Sequence, residues 1–131
     1  MNIGNRTVPF EITGVSHGLK EVTGLLSLSK QGLRIEYQLR DGFVGLWESD
    51  TQTITIPYAN LEEISFKKGW FSGKITLEGT SMDAFMDLPG TEPGRRTLKI
   101  KRKDREEAQQ LISLARVRFS EYRLNQMGGE E

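Results

Sequence analysis

The sequence predicts a mainly β domain that ends in one amphipathic α-helix. Three observations carry this prediction. Short segments of alternating apolar and polar residues fill positions 24–101, and the apolar spacing becomes helical after Asp104. The length of 131 residues suits one domain, which buries about two-thirds of the surface of its unfolded chain. We therefore expect one β-rich core that a C-terminal helix closes.

The strand predictions rest on a period of two, the spacing of a strand with one buried face. In residues 33–39, leucine, isoleucine and tyrosine alternate with charged or amide side chains. Pro57 marks a strand end or a sheet edge, because proline has no backbone N–H to donate within a sheet. The predicted strands are residues 24–28, 33–39, 53–58, 61–68, 73–79, 82–88 and 96–101.

The helix prediction rests on one apolar stripe at a spacing of three and four residues. We expect the helix to run from Asp104 to about Leu124, a length of about 30 Å that can cover the end of a small barrel. Residues 1–23 are then an N-terminal extension with room for one extra strand, 24–124 the domain, and 125–131 a flexible tail. The stripe consists of Ala108, Leu111, Ile112, Ala115, Phe119 and Tyr122.

Two motifs resemble a known superfold. The segment "GLLSLSKQGLRI" (24–35) is similar to the G-x-L-x-L-[ST]-x-x-G-L-x-[FI] opening of bacterial pleckstrin-homology (PH) and GRAM-type domains. "IPY" (56–58), followed by Leu61 and Ile64, resembles their passage from the third to the fourth strand. The resemblance covers residues 24–124. It implies a PH-like bent barrel of about seven antiparallel strands capped by a C-terminal helix, a fold with lipid-binding, peptide-binding and structural roles.

The composition limits the functional classes. Eighteen basic residues balance eighteen acidic ones, and the zero net charge argues against a domain built around nucleic acid. The chain has no cysteine, which excludes disulfides and thiolate chemistry and fits a reducing compartment. No apolar run is long enough for a signal peptide core or a membrane span. We therefore expect a cytoplasmic protein.

Few residues suggest catalysis or metal binding. His17 is the only histidine, and neither G-x-S-x-G nor G-x-x-x-x-G-K-[ST] occurs. Glu62 and Glu63 point to opposite faces of a predicted strand, so these two carboxylates do not converge. We expect a protein that is not an enzyme and that has no cofactor, no metal site and no catalytic residues.

Two basic segments supply the candidate contact residues. In "KKGWFSGK" (67–74), two adjacent aromatic residues lie at a predicted hairpin tip, and we expect one ring to fold over the barrel end while Trp70 is the more exposed. Packing of both rings on the hairpin or the helix is the alternative. In "RRTLKIKRKDR" (95–105), a basic strand face could meet phosphate, or it is simply solvated. The candidates are Lys67, Lys68, Trp70, Phe71, Lys74, Arg95, Arg96, Lys99 and Lys101.

The predicted function is a non-catalytic binding or scaffold module that acts through a protein partner or self-association. The alternative is a peripheral membrane adaptor that binds anionic lipid through the basic strand and the aromatic tip. The K-x-n-[KR]-x-R pattern of phosphoinositide-binding PH domains is incomplete here, since this region offers only Lys30 and Arg34. We therefore assign no phosphoinositide-binding residues to this sequence, and we expect no nucleic acid partner.

Overall fold

The computed structural model describes residues 6–15, 18–41 and 50–128. Within these ranges, seven antiparallel strands form one open sheet that a long helix follows. Short 3-10 turns at Tyr58–Asn60 and Arg102–Asp104 precede a strand and the helix, respectively. The elements are β1 (Thr7–Val15), β2 (Lys20–Leu28), β3 (Gly32–Asp41), β4 (Gln52–Pro57), β5 (Leu61–Lys68), β6 (Ser72–Gly79), β7 (Arg95–Lys101) and α1 (Arg105–Gly128).

The strand order is β4-β3-β2-β1-β7-β6-β5, which joins two meanders where β1 lies beside β7. At this junction β1 and β7 are paired at one position, where Glu11 lies opposite Lys99. Strands β6 and β7, in contrast, are paired from Ser72 to Glu78. Helix α1 packs against strands of both meanders, including β1 and β5. The predicted fold class, a PH-like bent barrel capped by a C-terminal helix, is confirmed.

The core lies between the inner face of the sheet and α1. On β7, Leu98 and Ile100 are fully buried while the alternate residues Lys99 and Lys101 are exposed, so one face of the strand is core and the other is surface. The predicted helical stripe is confirmed, with five members buried and Tyr122 partly buried against them. Each fully buried leucine or isoleucine side chain contributes about 1.5–3 kcal/mol through its removal from water.

The predicted strand at 82–88 is wrong, because this segment folds into successive turns. The Met86 N–H donates to the Asp83 carbonyl at 3.2 Å, and the Leu88 N–H donates to the Phe85 carbonyl at 2.9 Å. These i to i+3 hydrogen bonds turn Phe85 and Leu88 inward together and leave Met82 and Met86 72% and 75% exposed.

The N-terminal region holds the extra strand for which the prediction left room. That strand, β1, buries Val8, Phe10 and Ile12 and pairs with β2 along most of its length. Among the residues that the structure describes, the total of seven strands therefore agrees with the prediction, with β1 in place of 82–88. Strand β2 begins at Lys20, before the predicted domain start at residue 24, and α1 continues beyond the predicted end near Leu124.

Candidate binding surface

The turn between β5 and β6 presents two aromatic rings at its apex. The Gly69 N–H donates to the Ser72 carbonyl at 2.7 Å and closes the turn around Trp70 and Phe71. The Arg105 Nη1 group donates to the Gly69 carbonyl at 2.7 Å, so the first residue of α1 fixes the turn in place. The two rings contact each other edge to face, with their centroids 6.4 Å apart.

Both rings are exposed, Trp70 by 83% and Phe71 by 75%. The prediction that one of them folds over the barrel end is wrong, although Trp70 is the more exposed of the two, as expected. A different ring, that of Phe66, packs on the core from the same hairpin. It lies so close to Gly73 that a Cβ there would be 2.6 Å from the ring. Phe66 therefore already covers the core beside the apex.

Three lysines lie in one row across the outer face of the sheet. Lys67 on β5 is directly opposite Lys74 on β6, and Lys74 is directly opposite Lys99 on β7. Among the residues that the structure describes, none of the three forms an ion pair with a carboxylate. Like charges that face each other across strands destabilise a sheet, so the fold itself does not favour this lysine row.

Further cations surround the exposed rings. Lys101 lies opposite Ser72, next to the turn, and Lys68 lies 3.8 Å from the highly exposed carboxylate of Glu106. An exposed pair of this kind contributes at most about 1 kcal/mol and leaves the lysine able to exchange partners. We name this part of the surface the docking end; it comprises Lys67, Lys68, Trp70, Phe71 and Lys101.

Arg96 differs from the other candidate contact residues, because only 9% of its surface is exposed. Its guanidinium is buried and donates to backbone carbonyls, including those of Leu88 at 2.8 Å and Phe85 at 3.0 Å. Burial lowers the pKa of Arg96 from its ordinary value, an effect that the nearby Glu92 carboxylate opposes. This side chain holds the turn segment that precedes β7 against the sheet.

A groove lies beside β7. Its volume is about 380 Å³, and its lining residues include Ser72 and Arg95. The paired rows that contain these two residues are six positions apart, which corresponds to about 20 Å of strand. We name this feature the outer groove; its lining includes the cationic residues Lys74, Arg95, Arg96 and Lys99, the hydroxyl residues Thr13, Ser72 and Thr97, and the acidic residues Glu11 and Glu92.

The remaining sequence features concern His17, the C-terminal tail, metal binding and membrane spanning. His17 lies outside them, as do residues 129–131 of the predicted tail. Within 6–15, 18–41 and 50–128, no group of three or more histidine, aspartate or glutamate side chains could hold a metal ion. No helix in the same ranges combines the length and the apolar character that crossing a bilayer requires.

Comparison with family models, with curated proteins and with solved structures gives no match to this chain. The resemblance to PH and GRAM-type domains therefore stays a prediction from the motifs in residues 24–64. The candidate binding surface is defined by its own geometry.

Proposed function

We propose that this chain is a non-catalytic binding module that docks on an anionic membrane surface through its docking end. The observation that carries the proposal is the exposure of both Trp70 and Phe71 at the apex of one tight turn, with lysines on both sides. A binding role also agrees with the PH-like fold, although the fold alone does not define a ligand.

The chemistry of the docking end suits the boundary between lipid headgroups and acyl chains. Tryptophan is favoured there because its ring is apolar while its N–H can reach water or a headgroup. Lysine keeps its ammonium in the headgroup layer, where each one contributes about 1 kcal/mol near an anionic surface. Since the whole chain has zero net charge, this attraction is local and orients the protein with the rings toward the membrane.

Self-association through the same end is less favourable. Two copies that met at their aromatic turns would bring Lys67 and Lys101 of one copy close to those of the other, and like charges across an interface oppose binding. The charge pattern therefore supports an anionic partner over a second copy of this chain.

Vesicle sedimentation tests the proposal. We expect the wild-type protein to sediment with vesicles that contain phosphatidylglycerol, to stay free with phosphatidylcholine alone, and to be released by high salt. The double variant Trp70→Ala/Phe71→Ala should bind the anionic vesicles at least about tenfold more weakly, a loss of about 1.4 kcal/mol. A matched control is Met82→Ala/Met86→Ala, which removes two apolar side chains of similar exposure from another turn and should bind like the wild type.

Two results would contradict membrane docking. One is equal sedimentation with neutral and anionic vesicles, because the lysines would then contribute nothing. The other is unchanged binding of the variant that lacks both rings, because the exposed aromatic pair would then have no part in it.

A further inference from the structure

We propose that the outer groove binds an extended acidic segment of a partner protein. The site is distinct from the aromatic turn, and the proposal does not depend on membrane docking. If both hold, the module connects a membrane to a second protein.

The first argument is charge. Lys74 and Lys99 face each other in the groove, and in the described part of the chain neither has an ion pair. Glu11, at the end of their row, lies 4.0 Å from the Arg40 guanidinium on the other side. The two ammonium groups therefore repel each other across the strands, and an acidic ligand between them removes that repulsion.

Arg96 adds to the positive charge of the groove. It lines the groove, and within the described residues its guanidinium donates to neutral backbone carbonyls. Its positive charge is partly buried and is balanced only at a distance by the Glu92 carboxylate. Among the lining residues, the four cations Lys74, Arg95, Arg96 and Lys99 therefore outnumber the two carboxylates of Glu11 and Glu92.

The second argument is shape. Outward residues of β7 recur about every 6.6 Å, which is also the interval between alternate side chains of an extended peptide. Arg95, Thr97 and Lys99 follow one another at this interval along the groove. A compact phosphate would meet Lys74 and Lys99 but leave most of the length of about 20 Å unused.

The third argument concerns the mode of binding. Strand β7 is paired with β6 over its whole length, so a peptide cannot join the sheet as an extra strand on that side. On the other side β7 is paired with β1 only at Glu11 and Lys99, and the proposed peptide lies over the outer face of the sheet, where side chains hold it. Ammonium groups can bind its carboxylates, and the hydroxyls of Thr97, Ser72 and Thr13 can donate to its backbone carbonyls.

Fluorescence anisotropy with a labelled hexapeptide of alternating glutamate and threonine tests this proposal. We expect salt-sensitive binding that weakens about tenfold in Lys74→Gln/Lys99→Gln, and little binding of the peptide with glutamine in place of glutamate. The control Lys30→Gln/Arg116→Gln removes the same charge from exposed positions elsewhere and should keep wild-type affinity. A thermal melt of each variant confirms that it is folded.

Several outcomes would overturn the groove proposal. These are no binding of the acidic peptide, equal binding of the glutamine peptide, or an equal loss in the control variant. Displacement of the peptide by inorganic tripolyphosphate, at concentrations below the peptide Kd, would assign the groove to phosphate instead.

The membrane proposal and the groove proposal can fail separately. The Trp70→Ala/Phe71→Ala variant should keep its peptide affinity although it loses vesicle binding. A protein that binds the peptide but no vesicles overturns membrane docking alone. One that binds vesicles but no peptide overturns the groove alone.

Discussion

Two hairpin turns of this sheet are closed by the same backbone hydrogen bond and have opposite surface chemistry. In the β2–β3 turn the Ser29 N–H donates to the Gly32 carbonyl at 2.8 Å, and in the β5–β6 turn Gly69 donates to Ser72 at 2.7 Å. The first turn carries lysine and glutamine at its apex, as polar turns usually do, and the second carries Trp70 and Phe71. The backbone turn therefore does not require aromatic residues, and their presence needs another explanation.

The residue pairs that flank the two turns differ in the same way. At equivalent positions, Ser27 faces Arg34 in the first hairpin, and Lys67 faces Lys74 in the second. Arg34 has an ion pair with Glu36 at 3.0 Å, whereas the two facing lysines have none among the described residues. The charge in the first hairpin is balanced by a carboxylate, whereas the second places two like charges face to face.

The largest expected effect comes from the core that supports both hairpins. Leu111 is fully buried at the centre of the helical stripe, so Leu111→Ala should lower the free energy of unfolding by about 2–5 kcal/mol. Chemical denaturation followed by circular dichroism measures this loss. A loss below about 0.5 kcal/mol would mean that α1 does not close the core on which the comparison depends.

Arg96 is a cation with a structural role, in contrast to the lysines of the second hairpin. Arg96→Met should lower the free energy of unfolding by about 1–3 kcal/mol, because buried carbonyls lose their donors. The neighbouring Arg95→Gln is the control and should cost at most about 1 kcal/mol, since its ion pairs with Glu78 and Glu92 are half exposed. Equal losses at the two positions would contradict the separation of structural and surface cations.

Matched substitutions in the two hairpins should change stability with opposite signs. Lys74→Gln should raise the free energy of unfolding by about 0.2–1 kcal/mol at low salt, because it removes repulsion from both neighbours in the lysine row. Arg34→Gln, at the equivalent position, should lower it by at most about 1 kcal/mol, because it removes an exposed ion pair. Denaturation at low and high salt measures both. A loss of stability in Lys74→Gln would show that the row is not repulsive.

The smallest effect on stability is expected at the turn apex itself. Trp70→Ala/Phe71→Ala should change the free energy of unfolding by less than about 0.5 kcal/mol, against about 3–5 kcal/mol for a buried tryptophan. The same denaturation experiment measures this change. A loss of about 3–5 kcal/mol would show that these rings belong to the core. The two turns would then not differ in the exposure of apolar side chains.

Much of the fold could be predicted because its patterns are local. The β5–β6 hairpin has clean alternation up to a glycine-flanked turn, and the stripe around Leu111 has unbroken helical spacing. The sequence left room for β1 without predicting it. Val8, Phe10 and Ile12 alternate as in a strand, but Pro9 and Gly14 interrupt the pattern. The strand prediction at 82–88 is wrong because Met82, Ala84 and Met86 alternate as they would in a strand. The residues that point inward are instead Phe85 and Leu88, three positions apart in a segment of turns.

The candidate site was only partly predictable, because it depends on how distant strands pair. A two-residue turn at Trp70-Phe71 already implies that Lys67 faces Lys74. The addition of Lys99 to that row depends on the register of β7 against β6, which no local pattern specifies. The burial of Arg96 could have been predicted, because alternation places it on the same face as Leu98 and Ile100. The many basic residues around it suggested an exposed position instead.

The most direct test of the central claim gives the second turn the chemistry of the first. The variant Trp70→Lys/Phe71→Gln copies the apex of the β2–β3 turn, keeps the backbone arrangement and adds one positive charge. Sedimentation with phosphatidylglycerol vesicles at low salt measures its docking against the wild type. We predict that the variant binds at least about tenfold more weakly despite its added charge, because insertion of the rings is lost. Binding as tight as that of the wild type, or tighter, would contradict a docking role for the aromatic turn.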